Sequence, residues 1–328
     1  MTIGTIQNER TSYTMNVTLV STSITVMGVI IALGMLFAWK VPISQDVKKV
    51  LILIILNIAV PSIILNGVFN TDVSGNLLNQ AFLIFMISII FHIGALLFAW
   101  LIAKLFRFES TLSKKLVVLA ALGNTGFIGI PLAATIFGPV GGLLAAIFDA
   151  ALDLVLFTIV IAFLQSGSGM SIRSVLKSFI NVPLIAITVG LTSAVVGFEP
   201  PAFARQLTEH LAGLAAPLAM LYIGMLLQGL FKRSGVGAYR QIWFPLTVRL
   251  LAIPLMTMFV LSWTPLSADL KNLVIILSAM PTFTLSAILF ARYLPDKDEN
   301  TAVITIAYST LLSLLTIPFI TWLAAVWF

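Results

Sequence analysis

The feature that most constrains this chain is a succession of long apolar stretches with almost no charge. A helix needs ~20 mainly apolar residues to cross the hydrocarbon layer of a bilayer. Such stretches fall at 17–39, 50–68, 78–103, 116–136, 143–165, 178–197, 206–230, 241–263, 272–291 and 301–326. Lipid offers backbone N–H and C=O groups no water, so lipid-facing spans of this length must be helical. The chain is therefore expected to be an all-α polytopic membrane protein with ten transmembrane helices. Composition agrees: 60% of the residues are apolar and 9% charged, against roughly 25% charged in soluble domains.

The net charge of +6 does not indicate nucleic acid, because Lys and Arg are scattered between the apolar runs rather than gathered on one face. The absence of cysteine excludes disulfides, Cys-ligated zinc, iron–sulfur clusters and thiol nucleophiles. Residues 1–16 lack the basic start, short apolar core and small-residue cleavage site of a signal peptide, so the first apolar stretch is expected to be retained as a span. Asn16-Val17-Thr18 matches a glycosylation acceptor, a pattern too short to carry weight.

Cytoplasmic loops retain Lys and Arg. One set of loops holds Lys40, Lys48 and Lys49; Lys104, Arg107, Lys114 and Lys115; Arg173 and Lys177; Lys232, Arg233 and Arg240; and Arg292 and Lys297, whereas the other side holds only Arg10, Arg205 and Lys271. This alternation places both termini outside and requires an even number of spans. The polar, glycine-rich run from Gln165 to Ser171 divides the chain into five spans before and five after. Halves with an odd span count insert in opposite senses, so if they are repeats they are inverted ones, at 1–165 and 178–328 with a cytoplasmic linker at 166–177.

Two spans are interrupted. The fourth contains Gly123-Asn124-Thr125-Gly126-Phe127-Ile128-Gly129-Ile130-Pro131, and the ninth contains Ser278-Ala279-Met280-Pro281-Thr282-Phe283-Thr284-Leu285-Ser286 at the corresponding place in the second half. Proline removes a donor and glycine weakens the helix. Non-helical backbone at membrane depth is tolerated only inside protein or along a wet cavity. Half-helix N-termini offer N–H groups and positive dipole ends to an anion, and freed carbonyls can coordinate a cation. Isolated prolines such as Pro61, Pro183, Pro217, Pro245 and Pro254 read as plain kinks.

Four ionisable residues lie within spans: His92, Asp149, Asp153 and Arg249. Asp149 and Asp153 stand at i and i+4 on one helix face, and two like charges so close cannot both stay ionised cheaply in a low dielectric. Arg249 is expected to neutralise one and leave the other to take a proton or cation; an interhelical Asp–Arg tie is the plainer alternative. His92 fits a proton relay or a hydrogen-bonded interior histidine equally. Enzyme patterns are absent: no Walker A motif, HExxH or GxSxG occurs, and two aspartates on one helix cannot face each other as a protease dyad. A channel fits less well than a carrier with paired broken helices.

The run GNTGFIGIPL at Gly123 to Leu132 closely resembles the fourth-helix crossover motif of the auxin efflux carrier family, which includes plant auxin carriers and many bacterial permeases. Supporting likeness comes from Phe179 to Ala186, from Ala216-Pro217-Leu218-Ala219 with Ile223-Gly224, and from Met280-Pro281 with Phe290 to Tyr293. The resemblance implies a bile-acid-symporter-like fold. In it helices one, two, six and seven form a scaffold, helices three to five and eight to ten move, and substrate sits where helices four and nine cross. Asn124 and Pro131 match the first crossover and Pro281 the second, with Ser286 where plant carriers have a further proline. With its short middle linker the chain looks like a bacterial member, for which small organic anions such as malonate, malate or an auxin-like acid are implied.

The expectation is a secondary transporter of a small carboxylate in the cell membrane, working by elevator-type alternating access; an uncoupled facilitator or channel for organic anions is the alternative. Its binding residues are expected to be Asn124, Thr125, Gly126, Gly129, Ile130, Pro131, Pro281, Thr282, Thr284 and Ser286. Asp149, Asp153, His92 and Arg249 would serve a coupling proton, or a sodium ion near the two aspartates. The partners are the anion, that ion and the bilayer, with a homodimer admitted and no cofactor or resident metal expected.

Overall fold

The computed structural model describes residues 17–70, 75–165, 181–231, 240–294 and 299–328. The linker expected at 166–177, the Asn16 acceptor, Phe179 and Ile180, and the basic residues Arg10, Arg173, Lys177, Lys232, Arg233 and Lys297 lie outside the described residues. Among the described residues every extended element is helical, and the one β-type pairing is an isolated antiparallel bridge between Gly123 and Thr282.

In chain order the helices are α1 (Val17–Lys40), α2 (Gln45–Ile54), α3 (Val60–Phe69), α4 (Gly75–Leu105), α5 (Ser110–Ala121), α6 (Ile130–Val155), α7 (Ile161–Leu164) and α8 (Val182–Val195). They continue with α9 (Ala202–Ala212), α10 (Ala215–Phe231), α11 (Trp243–Thr247), α12 (Ile253–Ser262), α13 (Ala268–Ser278), α14 (Ser286–Tyr293) and α15 (Glu299–Trp327).

Seven helical segments among the described residues are long and apolar enough to span a membrane, at Thr18–Lys40, Asp46–Phe69, Leu77–Leu105, Thr125–Leu164, Ala202–Gln228, Arg240–Ser262 and Asn300–Trp327. The chain is thus a polytopic membrane protein. Three places account for the gap to the expected ten. Thr125–Leu164 is a continuous 40 residues, twice what a span needs, and the turn expected at Phe137 to Gly142 lies inside it, where Gly138 takes φ 71° and ψ −167°. That backbone suits glycine because it lacks Cβ, and Pro139 follows at once. The sixth expected span is present as the shorter Val182–Val195. The ninth is split into α13 and α14.

Four turns are widened to the π form: Ile55–Ala59, Thr125–Gly129, Leu156–Val160 and Val248–Ala252. Three of them lead directly into a residue followed by proline, Val60-Pro61, Ile130-Pro131 and Ile253-Pro254. Proline has no N–H for the carbonyl four residues back and its ring crowds that carbonyl; one extra residue in the turn relieves the clash. Pro61 and Pro254, read from sequence as plain kinks, thus mark turns that present Asn57 and Arg249.

Packing builds two buried apolar clusters. The larger joins α1, α3, α6 as far as Phe148, α10 and α13; the smaller joins the end of α4 with α5, α7, α14 and the start of α15. The interruptions lie on the seam, with Phe127 and Met280 in the first cluster and Leu122 and Phe283 in the second. Helices α1 and α10 approach unusually closely: a Cβ on Gly34 would come within 2.5 Å of the Leu221 carbonyl oxygen, and one on Gly224 would strike the Ile31 carbonyl oxygen. Small residues permit such contact between membrane helices.

Candidate functional site: a crossing of two interrupted helices

α5 ends at Ala121, Leu122 is extended, and Asn124 caps the following π turn by accepting from the Phe127 N–H at 3.2 Å. α13 ends at Ser278, and residues 279–285 run irregularly to α14. The two irregular segments lie antiparallel and bond through their backbones. Asn124 N–H donates to the Pro281 carbonyl at 2.7 Å, and Phe283 N–H donates to the Leu122 carbonyl at 3.0 Å. Two breaks, each of which would leave main-chain groups bare in the bilayer, therefore satisfy one another.

Side chains complete the accounting. Asn124 Nδ2 donates to Thr284 Oγ1 at 2.6 Å, tying the two breaks together a second time. Thr282 donates its hydroxyl to the Leu119 carbonyl at 3.1 Å, and its N–H to Ser309 Oγ on α15 at 3.1 Å. Arg249, fully buried on the π turn before α12, donates from Nε to Met280 O at 2.8 Å, from Nη1 to Ala121 O at 2.8 Å and from Nη2 to Ser278 O at 2.5 Å. One guanidinium thus serves carbonyls at the C-terminal ends of α5 and α13. The hydrogen-bond partners of Arg249 are these carbonyls rather than the aspartate it was expected to neutralise. The carbonyls orphaned by the two breaks are the nearer and geometrically better acceptors for a planar fork of donors.

Beyond Gly138 the chain returns along α6 and brings Asp149 beside the first break. Thr125 Oγ1 donates to Asp149 Oδ1 at 2.5 Å. A Cβ on Gly126 would stand 3.0 Å from Asp149 Oδ2, so this glycine is what lets the carboxylate sit against the backbone. Asp149 and Asp153, both half-buried, line a cavity of about 560 Å³. The cavity is walled by Gly126, Phe127 and Ile130 of the first break, by Phe283 and Leu285 of the second, by Leu56 and Asn57 of the first π turn, and by residues 181–185 and Ile187 of α8 and its cap. Asn181 caps α8 through Oδ1, which accepts from Leu184 N–H at 2.8 Å, and its Nδ2 lies 3.5 Å from Asp153 Oδ2. Among the described residues, no basic side chain lines this cavity.

Of the residues expected from sequence, Gly126, Ile130, Asp149 and Asp153 reach the cavity directly. Asn124, Thr125, Pro281, Thr282 and Thr284 build the crossing behind it. Gly129 packs against Leu277 and Met280 instead, and Pro131 lines a separate cavity of about 250 Å³ with Thr135 and Glu209. Ser286 opens α14 with a fully buried hydroxyl that has no partner. His92 stays outside the cavity: its Nδ1 is 2.8 Å from Ser88 O, its ring is 5.2 Å from Phe148, and its Nε2 is buried without a partner. Sequence reasoning missed Asn57 and did not assign Asn181 to the site. The available signals were a lone amide in an apolar run ahead of Pro61, and an Asn-X-Pro start to a helix.

A multi-span helical chain whose two broken helices exchange backbone hydrogen bonds beside a carboxylate-lined cavity has an architecture suited to carrying a solute across a membrane. The family described as membrane transport protein matches residues 19–321, and the chain belongs to that auxin-efflux-carrier-like family. It is 27% identical over 293 residues to an uncharacterized transporter of Methanothermobacter thermautotrophicus, covering 88% of this chain and 93% of the relative. It is 26% identical over 292 residues to an uncharacterized transporter of Methanocaldococcus jannaschii, covering 86% and 91% respectively.

Proposed function

We propose that this transporter is a secondary carrier that moves a small organic carboxylate together with a proton or sodium ion. The observation that carries the reading is the cavity beside the crossing, bounded by both breaks and by Asp149 and Asp153. Two carboxylates with no basic side chain among the described lining residues repel an anion unless something neutralises them. In this reading coupling is therefore obligatory: the ion taken up by the aspartates is what admits the substrate. Support for the anion's own position comes from the N-terminus of α14, whose dipole end and unpartnered Ser286 hydroxyl adjoin the cavity-lining Leu285. An uncoupled path through the same cavity would leave that repulsion in place.

The movement proposed is elevator-type alternating access, with ten spans as two inverted repeats at 1–165 and 178–328 and both termini outside the cell membrane. The scaffold would comprise α1 to α3 and α8 to α10, and the moving unit α4 to α7 and α11 to α15. Support comes from the reversal at Gly138, from the matched breaks in the two halves, and from the α8 wall that closes the cavity against α6.

Proteoliposomes carrying the protein should take up small carboxylates saturably and show counterflow, with uptake depending on an inward proton or sodium gradient. Asp149→Asn and Asp153→Asn should each remove that dependence. Unchanged gradient dependence in both variants would overturn the coupling role. Because two carboxylates also suit a cationic ligand, small amines belong in the same uptake screen; uptake of amines alone would replace the anion reading.

A further inference from the structure

We propose that Arg249 is a built-in cation, supplied by the chain where the helix ends of the crossing would otherwise call for a bound ion, so that the crossing keeps its shape without any monovalent cation. The C-terminus of a helix carries roughly half a negative charge, concentrated on its last carbonyls. α5 and α13 both end at the crossing, and the carbonyls of Ala121, Ser278 and Met280 converge there. Two such ends sum to about one negative charge at a fully buried side chain, and one guanidinium balances it. A ring of inward carbonyls from unwound helices is the kind of arrangement that holds a sodium ion in other carriers; here a side chain occupies it.

Three further observations show that the site is shaped for that side chain. Arg249 is among the largest fully buried side chains and is the one cation among them, and its Nε and both terminal nitrogens are engaged. Gly123 leaves room for the fork: a Cβ there would stand 2.7 Å from Nη2 and 3.0 Å from Cζ. Finally, the π turn at Val248–Ala252 aims Arg249 from α11 and α12 across to both broken helices, making one residue the common support of three segments. The site is separate from Asp149, whose Oδ1 accepts from Thr125, so a sodium ion at the aspartates is neither required nor forbidden by it.

The test uses purified full-length protein, whose thermal unfolding is followed in choline, sodium and millimolar guanidinium chloride. Wild type should unfold at the same temperature with or without guanidinium. Arg249→Ala should fall by about 5 °C or more, because three buried carbonyls lose their donors, and guanidinium or sodium should restore much of the loss. Arg249→Lys, which keeps the charge, should retain more stability than Arg249→Met, which keeps only the volume. An Ala variant that no cation rescues, or a Lys variant as damaged as the Met variant, overturns the proposal. Should the Ala variant not fold at all, the Lys and Met comparison decides alone, and failure of both overturns it. The stability readout does not depend on what is carried. Cation rescue without any carboxylate uptake would sink the transport reading and leave this inference standing.

Discussion

The two breaks that cross are built differently. At the first, glycines free the backbone, a π turn winds the chain back into helix, Asn124 caps it, and Asp149, carried on the returning part of α6, stands beside that turn at Thr125 and Gly126. At the second, Pro281 stops α13, no side chain caps α14, and the hydroxyl of Ser286 is buried without a partner. Both C-terminal ends are answered by the same arginine. The first break is therefore capped by a side chain, and the second has no side-chain cap at the start of α14. A substrate anion would complete the second break as Asp149 completes the first.

The largest expected effect comes from removing the residue that joins the two. Asn124→Ala deletes the cap on the buried Phe127 N–H and the donor to the half-buried Thr284. A lost cap costs ~1 kcal/mol and a buried unpaired group a further ~1–3 kcal/mol. Unfolding should come several degrees lower, and uptake should fall at least tenfold because the relative position of the breaks is no longer held. Near-normal uptake in this variant would break the claim that one break positions the other.

An intermediate effect should follow Thr125→Val, which keeps the shape and removes the hydroxyl that donates to Asp149. A hydrogen bond to a charged group contributes ~1.5–3 kcal/mol net, so a modest loss of stability is expected. The comparison predicts more than this. With Asp149 freed from the first break, the ion dependence of uptake should change while the maximal rate in a saturating gradient changes little. Measuring uptake against ion concentration in both proteins separates the two; an unchanged dependence would show that Thr125 supports the fold alone.

Much of the crossing was legible in the sequence, because breakers are local. Gly123, Gly126, Gly129 and Pro131 in one apolar run, and Pro281 in another, mark places where a helix cannot continue, and Gly138-Pro139 marks the reversal. The partners of the freed groups were not legible. A buried arginine invites pairing with a buried aspartate, yet the carbonyls that hold Arg249 come from residues with apolar or small side chains, Ala121, Ser278 and Met280, whose types say nothing about acceptance. Asn57 was hidden for a related reason. It carries no charge, sits in an apolar run, and lines the cavity from the π turn ahead of Pro61. The turn read at residues 137–142 coincides with the non-helical Gly138, whereas the sixth span, drawn at full length from hydropathy, is a helix of 14 residues and the ninth is two short helices.

The smallest structural effect, and the sharpest probe of the open break, is Ser286→Ala. Its hydroxyl has no partner, so removing it deletes a desolvated polar atom without stranding another group. Unfolding temperature should stay the same or rise slightly. If the N-terminus of α14 receives the substrate carboxylate, this hydroxyl is an uncommitted side-chain donor there, and its loss should raise the half-saturating substrate concentration about 10-fold or more, the worth of one hydrogen bond to a charged group. Stability unchanged with affinity lowered assigns the second break to the substrate. Stability and affinity both unchanged would mean that the anion binds elsewhere in the cavity, and the contrast between a closed break and an open one would then describe the fold but not the transport cycle.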